Sequence, residues 1–328
     1  MTLIFAGHKI RESPSGAYTV MRLGVIDIGT NSVKLLVAEA NGSIPRILLE
    51  RVVITRIGEG LRDGGRLAQH AMDRTLRAVR GLVDEARRLG VLRARAVGTA
   101  AFRSASNRAD FVRSLQRIGL RLEILSGRRE ADLSFAAATA DLPIAGPVAV
   151  VDVGGGSAEM AWGTGSRRRR ISLPLGAVRL TEQLLHNDPI QSADFQALLA
   201  SIRATLRKAL RTAGPLPGHV VAVGGTAATL AAMQLGLRRP VPERIHGLRL
   251  TRSQLYVLLI VLSLLTAQQR AAMPGLEPGR ADIIVAGTAV LAATLGALRV
   301  SELTVSTRGL RYGVLLESLK SGARDKFA

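Results

Sequence analysis

Two short segments of the chain have the residue types needed to hold a phosphate chain. Asp27-Ile28-Gly29-Thr30-Asn31-Ser32 and Asp152-Val153-Gly154-Gly155-Gly156-Ser157 share the pattern Asp-x-Gly-x-x-Ser. Glycine beside Ser, Thr or Asn exposes consecutive backbone N–H groups and lets the main chain approach an anion closely. The aspartate opening each copy can hold Mg²⁺ directly or through water and neutralise phosphoryl oxygens. A lone Asp at a strand end is more often a turn former, and it is the matched duplication that favours the metal. Hydrolysis also needs a group that orients or deprotonates water, worth roughly 10² to 10⁴ in rate. Glu130 and Glu159 are the candidates. Glu159 stands where the first copy has Lys34, and strand alternation would aim it into a cleft between the turns. Glu130 falls in the first turn of an expected helix, where a carboxylate is also favoured by the helix dipole alone. Spacing does not rank the two.

The flanking residues say what positions these turns. Leu23 to Ile28 and Val33 to Ala38 are apolar and strand-like, so the first turn joins two strands. That argues against a Walker A loop and a dinucleotide fingerprint, both of which open a helix. Val148 to Val153 and Ala158 to Trp162 flank the second turn in the same way, so the chain reads as internally duplicated. Between the copies, Met72, Leu76, Val79, Val83, Ala86 and Leu89 mark a helix closed by Gly90, and Val91 to Val97 a strand. Asn107 is expected to cap a second helix ending at Gly119; Leu120 to Leu125 is a strand, and Ser126-Gly127 opens a helix over Arg128 to Ala140. A third glycine turn, Gly224-Gly225-Thr226, follows Val220 to Val223 and precedes a helix near Ala227 to Leu235. Later helices are expected over Arg252 to Ala267 and Ala281 to Leu298, then a strand over Glu302 to Ser306 and a last helix over Leu310 to Leu319. Alternating strands and helices predict an α/β fold. Arg167 to Arg170 read as the charged tip of a loop.

Composition narrows the function classes. A chain of 328 residues with 47% hydrophobic content can bury two cores. Cysteine is absent, which removes disulfides, thiolate metal sites and cysteine nucleophiles and favours a cytoplasmic address. The longest apolar run, Leu255 to Leu265, is too short to span a bilayer and reads as a buried helix, so no membrane role is expected. Residues 1–20 lack a sustained apolar core and read as a flexible extension rather than a secretory signal. The net charge is +20, and from Arg46 to Arg129 there are 19 arginines against 8 acidic residues. Such a field gathers polyanions. Aromatic residues make up only 3%, which argues against a dedicated nucleic-acid reader. Only five of the 45 basic residues are Lys, so a bias toward Arg explains part of the charge.

These residues resemble the exopolyphosphatase and guanosine pentaphosphate phosphohydrolase family of the actin-like ATPase superfamily. The resemblance rests on Val25 to Ser32, Gly98-Thr99-Ala100-Ala101-Phe102-Arg103, Ser126-Gly127-Arg128-Arg129-Glu130-Ala131, Asp152 to Glu159 and Gly224-Gly225-Thr226, and runs from Leu23 to about Leu316. It implies two ribonuclease-H-like domains with an interdomain active cleft: residues 21–128 with 308–328, and residues 129–307. It also implies a Mg²⁺ requirement and stepwise removal of terminal phosphates from polyphosphate or guanosine pentaphosphate. By the same resemblance Glu130 is the base that activates water, with Glu159 and Asp152 beside it, and the metal set is Asp27, Asp152 and Glu159. The implied phosphate contacts are Gly29, Thr30, Asn31, Ser32, Lys34, Thr99, Arg103, Gly154, Gly155, Gly156, Ser157, Gly224, Gly225 and Thr226. Such proteins often form homodimers, although no residue here locates an interface.

Two positions depart from the family pattern. Arg129 stands where a second acid is usual beside the base, and Tyr312 where a Glu is common in the late motif Gly309 to Gly313. Arg129 is expected to lower the pKa of its neighbour Glu130. The chain otherwise matches the short, two-domain form.

Overall fold

The computed structural model describes residues 21–40, 45–92, 94–164, 167–211 and 214–320, so the expected N-terminal extension lies outside the described residues. Strands β1 (Met21–Ile28), β2 (Ser32–Ala40) and β3 (Arg46–Ile54) form an antiparallel meander, and β4 (Ala94–Gly98) and β5 (Leu122–Ile124) add in parallel beside β1. The order is β3-β2-β1-β4-β5. The second sheet repeats this plan with β6 (Val148–Val153), β7 (Ala158–Thr164) and β8 (Arg167–Leu173) as the meander and β9 (His219–Val223) parallel to β6. An extra edge strand, β10 (Arg249–Thr251), pairs with β11 (Glu302–Val305), giving β10-β11-β9-β6-β7-β8. The duplication read from two hexapeptides is thus a duplication of whole sheets, in the strand order of the expected ribonuclease-H-like fold.

Helices α1 (Gln69–Arg88), α2 (Ala100–Ser104) and α3 (Arg108–Gln116) accompany the first sheet, and α4 (Gly127–Ala138) leads to the second. There follow α5 (Ala177–Leu184), α6 (Ser192–Leu210), α7 (Gly224–Gln234), α8 (Pro242–Ile245), α9 (Arg252–Leu264), α10 (Ala267–Ala271) and α11 (Ile284–Leu298), before α12 (Leu310–Lys320) returns to the first sheet. Leu310, Val314 and Leu315 of α12 pack on Leu23, Val25 and Leu36, whereas Ala131, Phe135 and Ala138 of α4 pack on Val148, Val150 and Val221. The two helices also pack on each other, so they form the layer between the sheets. The outer faces carry separate cores, with Ile26, Ile28 and Phe102 in one and Val151, Leu198 and Leu291 in the other.

This layering aims the aspartates. Side chains alternate along a strand, and Leu23 and Val25 face the inner layer while Ile26 and Ile28 face outward. Asp27 therefore projects inward at the end of β1. On β6, Val148 and Val150 face inward and Ala149, Val151 and Val153 outward, so Asp152 projects inward too.

Several sequence expectations change. Arg167 to Arg170 lie in β8, where Ala161 pairs with Arg170 and Trp162 with Arg169; charged side chains on an edge strand discourage pairing with other chains. Helix α9 buries Leu255, Leu259 and Leu262 but leaves Val257 at 61% and Leu264 at 72% exposure, because it packs against α11 from one side. Asn107 does start α3, yet its side chain binds the Leu67 backbone, accepting at 2.8 Å and donating at 3.1 Å, and makes no cap. Strand β3 and helices α5 and α6 escaped the sequence reading. Among the described residues no helix is long and apolar enough to cross a membrane.

Candidate active site

Each glycine turn is closed by the same bond. Gly29 N–H donates to Ser32 O at 3.0 Å, and Gly154 N–H to Ser157 O at 3.0 Å. The turn carbonyls are then used by the segments that follow the meanders. Thr55 and Arg56 N–H donate to Asn31 O and Gly58 N–H to Thr30 O, while Ala177 N–H donates to Gly154 O and Val178 N–H to Gly155 O. The N–H groups of Thr30, Asn31, Gly155 and Gly156 make no backbone hydrogen bond among the described residues. Carbonyls tied back and N–H groups left open are what an anion site needs. The two turns meet: a Cβ on Gly155 would lie 3.0 Å from Thr30 Cβ, and one on Gly156 2.8 Å from Thr30 Oγ1. Only glycine allows that approach.

Gly224-Gly225-Thr226 is the first turn of α7 rather than a separate loop. Gly224 has φ +89°, which lets β9 swing directly into the helix, and a Cβ there would lie 2.5 Å from Asp152 Oδ1. The N-terminus of α7, with its unpaired N–H groups and positive dipole end, thus faces the carboxylate and the cleft. The cleft encloses about 620 Å³, its open mouth included, and its walls come from Asp27, both glycine turns, Lys34, Thr99, Glu130, Asp152 and the start of α7.

Beside the turns lies a carboxylate cluster organised by one arginine. Arg103 Nη1 donates to Glu130 Oε2 at 2.6 Å, and Nη2 donates to Glu159 Oε1 at 3.1 Å and Ser157 Oγ at 3.0 Å. Glu159 Oε1 also accepts from Ser157 Oγ at 2.6 Å and Ser172 Oγ at 2.8 Å. Burial, reinforced by the Glu159 charge, pushes the Glu130 carboxyl well above the usual carboxylate range despite Arg103. Burial likewise lifts Glu159 to about 7 against the pull of Ser157 and Arg103. Asp152 is raised by burial first, with Asp27 adding to it and Lys34 opposing it. In register, Asp27 faces Lys34 on β2 and Asp152 faces Glu159 on β7. The two copies therefore place an ion pair (Lys34 Nζ to Asp27 Oδ2, 3.2 Å) and a like-charged pair at equivalent positions.

All the expected site residues reach the cleft wall except Arg103 and Glu159. Glu159 does face inward, but at 1% exposure it is wrapped by Ser157, Ser172 and Arg103 rather than aimed at the cleft space. Arg103 stands behind the carboxylates with its guanidinium spent on them. Arg129 is not a neighbour of the base in space: successive helix residues point in different directions, and Arg129 pairs with Glu317 of α12. The expected lowering of Glu130 is therefore overturned. Tyr312 lies away from the cleft, where its hydroxyl donates to Glu50 Oε1 at 2.6 Å. Sequence reading missed Arg280. It is 8% exposed, lines the cleft, and lies against Gly225 with Nε donating to Glu277 Oε2 at 2.7 Å. No motif surrounds it, and only the fold brings it to α7.

For Mg²⁺, the residues offer two carboxylates rather than a cage. No group of three or more potential ligands occurs among the described residues. Asp27 Oδ1 is buried without a hydrogen-bond partner. Asp152 Oδ2 accepts from Ser134 Oγ at 3.1 Å, leaving Oδ1 beside the start of α7. One or two carboxylates completed by substrate phosphates and water is the usual arrangement for Mg²⁺, so these residues fit it.

Comparison with known proteins agrees with this architecture. A sequence model of the Ppx/GppA phosphatase family matches residues 35–322. Exopolyphosphatase 2 of Mycobacterium tuberculosis is 34% identical over 311 residues, covering 90% of this chain and 98% of that one. Exopolyphosphatase 1 of Mycobacterium leprae is 32% identical over 310 residues, covering 92% and 91%. Among solved structures, the Ppx/GppA family member from Aquifex aeolicus superposes with a TM-score of 0.77 at 32% identity, over 92% of this chain and 99% of that one. An exopolyphosphatase from Cytophaga hutchinsonii gives 0.84 at 27% identity, over 92% and 98%. With matching sequence, matching fold and the paired glycine turns in place, the chain belongs to the Ppx/GppA phosphatase family.

Proposed function

We propose that this protein is an exopolyphosphatase, which hydrolyses terminal phosphates from inorganic polyphosphate with Glu130 as the base that activates water. The observation that carries the reading is Glu130 on the cleft wall beside both phosphate turns, its carboxyl raised by burial and one oxygen fixed by Arg103 at 2.6 Å. The terminal phosphoryl group sits between the turns, where the N–H groups of Thr30, Asn31, Gly155 and Gly156 and the start of α7 bind its oxygens. Lys34 and Arg280 supply the cationic side chains. Glu130 takes a proton from water as its oxygen attacks phosphorus, and the bond to the chain's bridging oxygen breaks in line. Orthophosphate and a chain one unit shorter leave. A base with a raised pKa is suited to this proton transfer near neutral pH. Bound Mg²⁺, held by Asp27 and Asp152, would neutralise charge on the phosphoryl oxygens. Glu159 and Arg103 act one layer back, orienting Glu130 and Ser157. The basic segment from Arg46 to Arg129 favours a long polyanion.

The test measures phosphate release with Mg²⁺ from long-chain polyphosphate and from guanosine pentaphosphate, for the natural protein and Glu130→Ala. Polyphosphate turnover that Glu130→Ala abolishes is expected. Preferential turnover of guanosine pentaphosphate would replace the substrate assignment and leave the chemistry intact. Binding of both without turnover would make the protein a sensor.

A further inference from the structure

Arg56 holds a backbone conformation that its side chain disfavours, with φ 49° in the left-handed region. In that conformation its N–H donates to Asn31 O at 2.9 Å, which stitches it to the first phosphate turn. Arg74 of α1 fixes the same loop from behind, with Nε donating to Thr55 O at 2.6 Å. The Arg56 side chain reaches the other half of the molecule. Nη1 meets Asp282 Oδ2 at 2.8 Å, and Nη2 donates to Asp282 Oδ1 at 3.0 Å and to Gly279 O at 3.2 Å. Those partners bracket Arg280. The short turn that carries it, Pro278–Arg280, lies against the end of β3, where a Cβ on Gly279 would fall 3.0 Å from Ile54 Cγ1.

We propose that Arg56 is a positioning residue that ties the first phosphate turn to Arg280, so that Arg280 faces the cleft only while that turn is docked. The inference rests on the reading of Arg280 as a phosphate ligand. A forked guanidinium suits the task because it grips a carboxylate in two places and a carbonyl in a third. The pair is partly exposed, at 38% and 35% of the side-chain surfaces, and pairs of that kind contribute little to stability. Its effect is therefore on geometry, and removing it leaves the fold standing. Anion binding at Thr30 and Asn31 and presentation of the Arg280 guanidinium then become one event, communicated through Arg56 beside the Ile54–Gly279 contact.

The experiment compares Arg56→Ala, Arg56→Lys, Asp282→Asn, Arg280→Ala and the double variant Arg56→Ala/Arg280→Ala in polyphosphate hydrolysis, with binding of inorganic tripolyphosphate followed by calorimetry. Arg56→Ala and Asp282→Asn should each weaken KM and tripolyphosphate affinity about tenfold, with kcat held within about threefold, the pattern of lost ground-state binding. Arg56→Lys should recover part of the loss. The double variant should match Arg280→Ala alone, because Arg56 acts through it. Independent, multiplying effects in the double variant overturn the proposal, as does an unchanged KM in Asp282→Asn. If Arg280→Ala weakens binding while Arg56→Ala does not, the tie fails and the ligand reading stands. If Arg280→Ala changes nothing, both fail.

Discussion

Replacing Gly156 by alanine should force the two phosphate turns apart. The added Cβ would lie 2.8 Å from Thr30 Oγ1 and 2.9 Å from Ala100 Cβ. Nonbonded carbons settle at about 3.5–4.0 Å, so the two walls must separate by roughly 0.6–1.1 Å to admit the methyl group. Misplacement on the order of 1 Å can cost ~10²-fold in rate, or about 2.7 kcal/mol of transition-state stabilisation. We therefore expect kcat/KM for phosphate release from polyphosphate to fall about 10- to 100-fold, and thermal stability to drop by the ~1–3 kcal/mol typical of overpacking. Adding Ala100→Gly removes the carbon–carbon clash while leaving the contact with Thr30, and should restore part of the loss. Wild-type kcat/KM in Gly156→Ala would refute the claim that the turns touch and that their spacing sets the rate.

Other outcomes follow from single contacts. Burial raises the carboxyls of Glu130 and Glu159, the latter to about 7 from 4.5. The acid limb of the kcat/KM profile should therefore lie well above the ordinary carboxylate range, and metal-free protein should lose stability as pH rises from 4.5 through about 7, because the folded state holds those protons more tightly. Pre-steady-state pH profiles and thermal unfolding across that window check both signs. Tyr312→Glu would set a second carboxylate against Glu50, whose Oε1 now accepts the tyrosine hydroxyl at 2.6 Å. It should destabilise the protein by about 1–3 kcal/mol, with additional Glu50→Gln relieving part of the loss, as denaturant titration would show. Gly81 lies exposed within α1 with nothing within 4 Å of a built Cβ. Gly81→Ala should raise stability by about 0.5–1 kcal/mol without touching kcat, and unchanged or lower stability would contradict the open space described there.

The paired turns were legible because glycine, Ser and Asp recur at fixed spacing and the apolar flanks recur with them. The alternation that turns Asp27 and Asp152 inward was implicit in the same runs. What stayed hidden was contact between distant segments. Glu130 and Arg103 are 27 residues apart, and nothing in either motif says that one guanidinium holds two carboxylates. Arg280 sits in no motif at all, since its place beside Gly225 depends on the turn before α11. Adjacency in sequence misled at Arg129, whose side chain leaves the helix toward α12. Strand β3 was missed because its side chains are mostly half-buried or exposed, so it shows neither a clean apolar run nor a two-residue alternation.

The meeting of α4 and α12 has a mechanical consequence. At Gly313 the second helix lies so close to the backbone of Leu133 that a Cβ would collide with it. Helices usually lock at an angle because side-chain ridges of one fill grooves of the other, and a bare glycine offers no ridge. Here the approach is backbone to backbone at Gly313, with Leu133, Leu310, Val314 and Leu315 packed around it. A side chain at position 313 would therefore have to part α4 from α12, and with them the two sheets they separate.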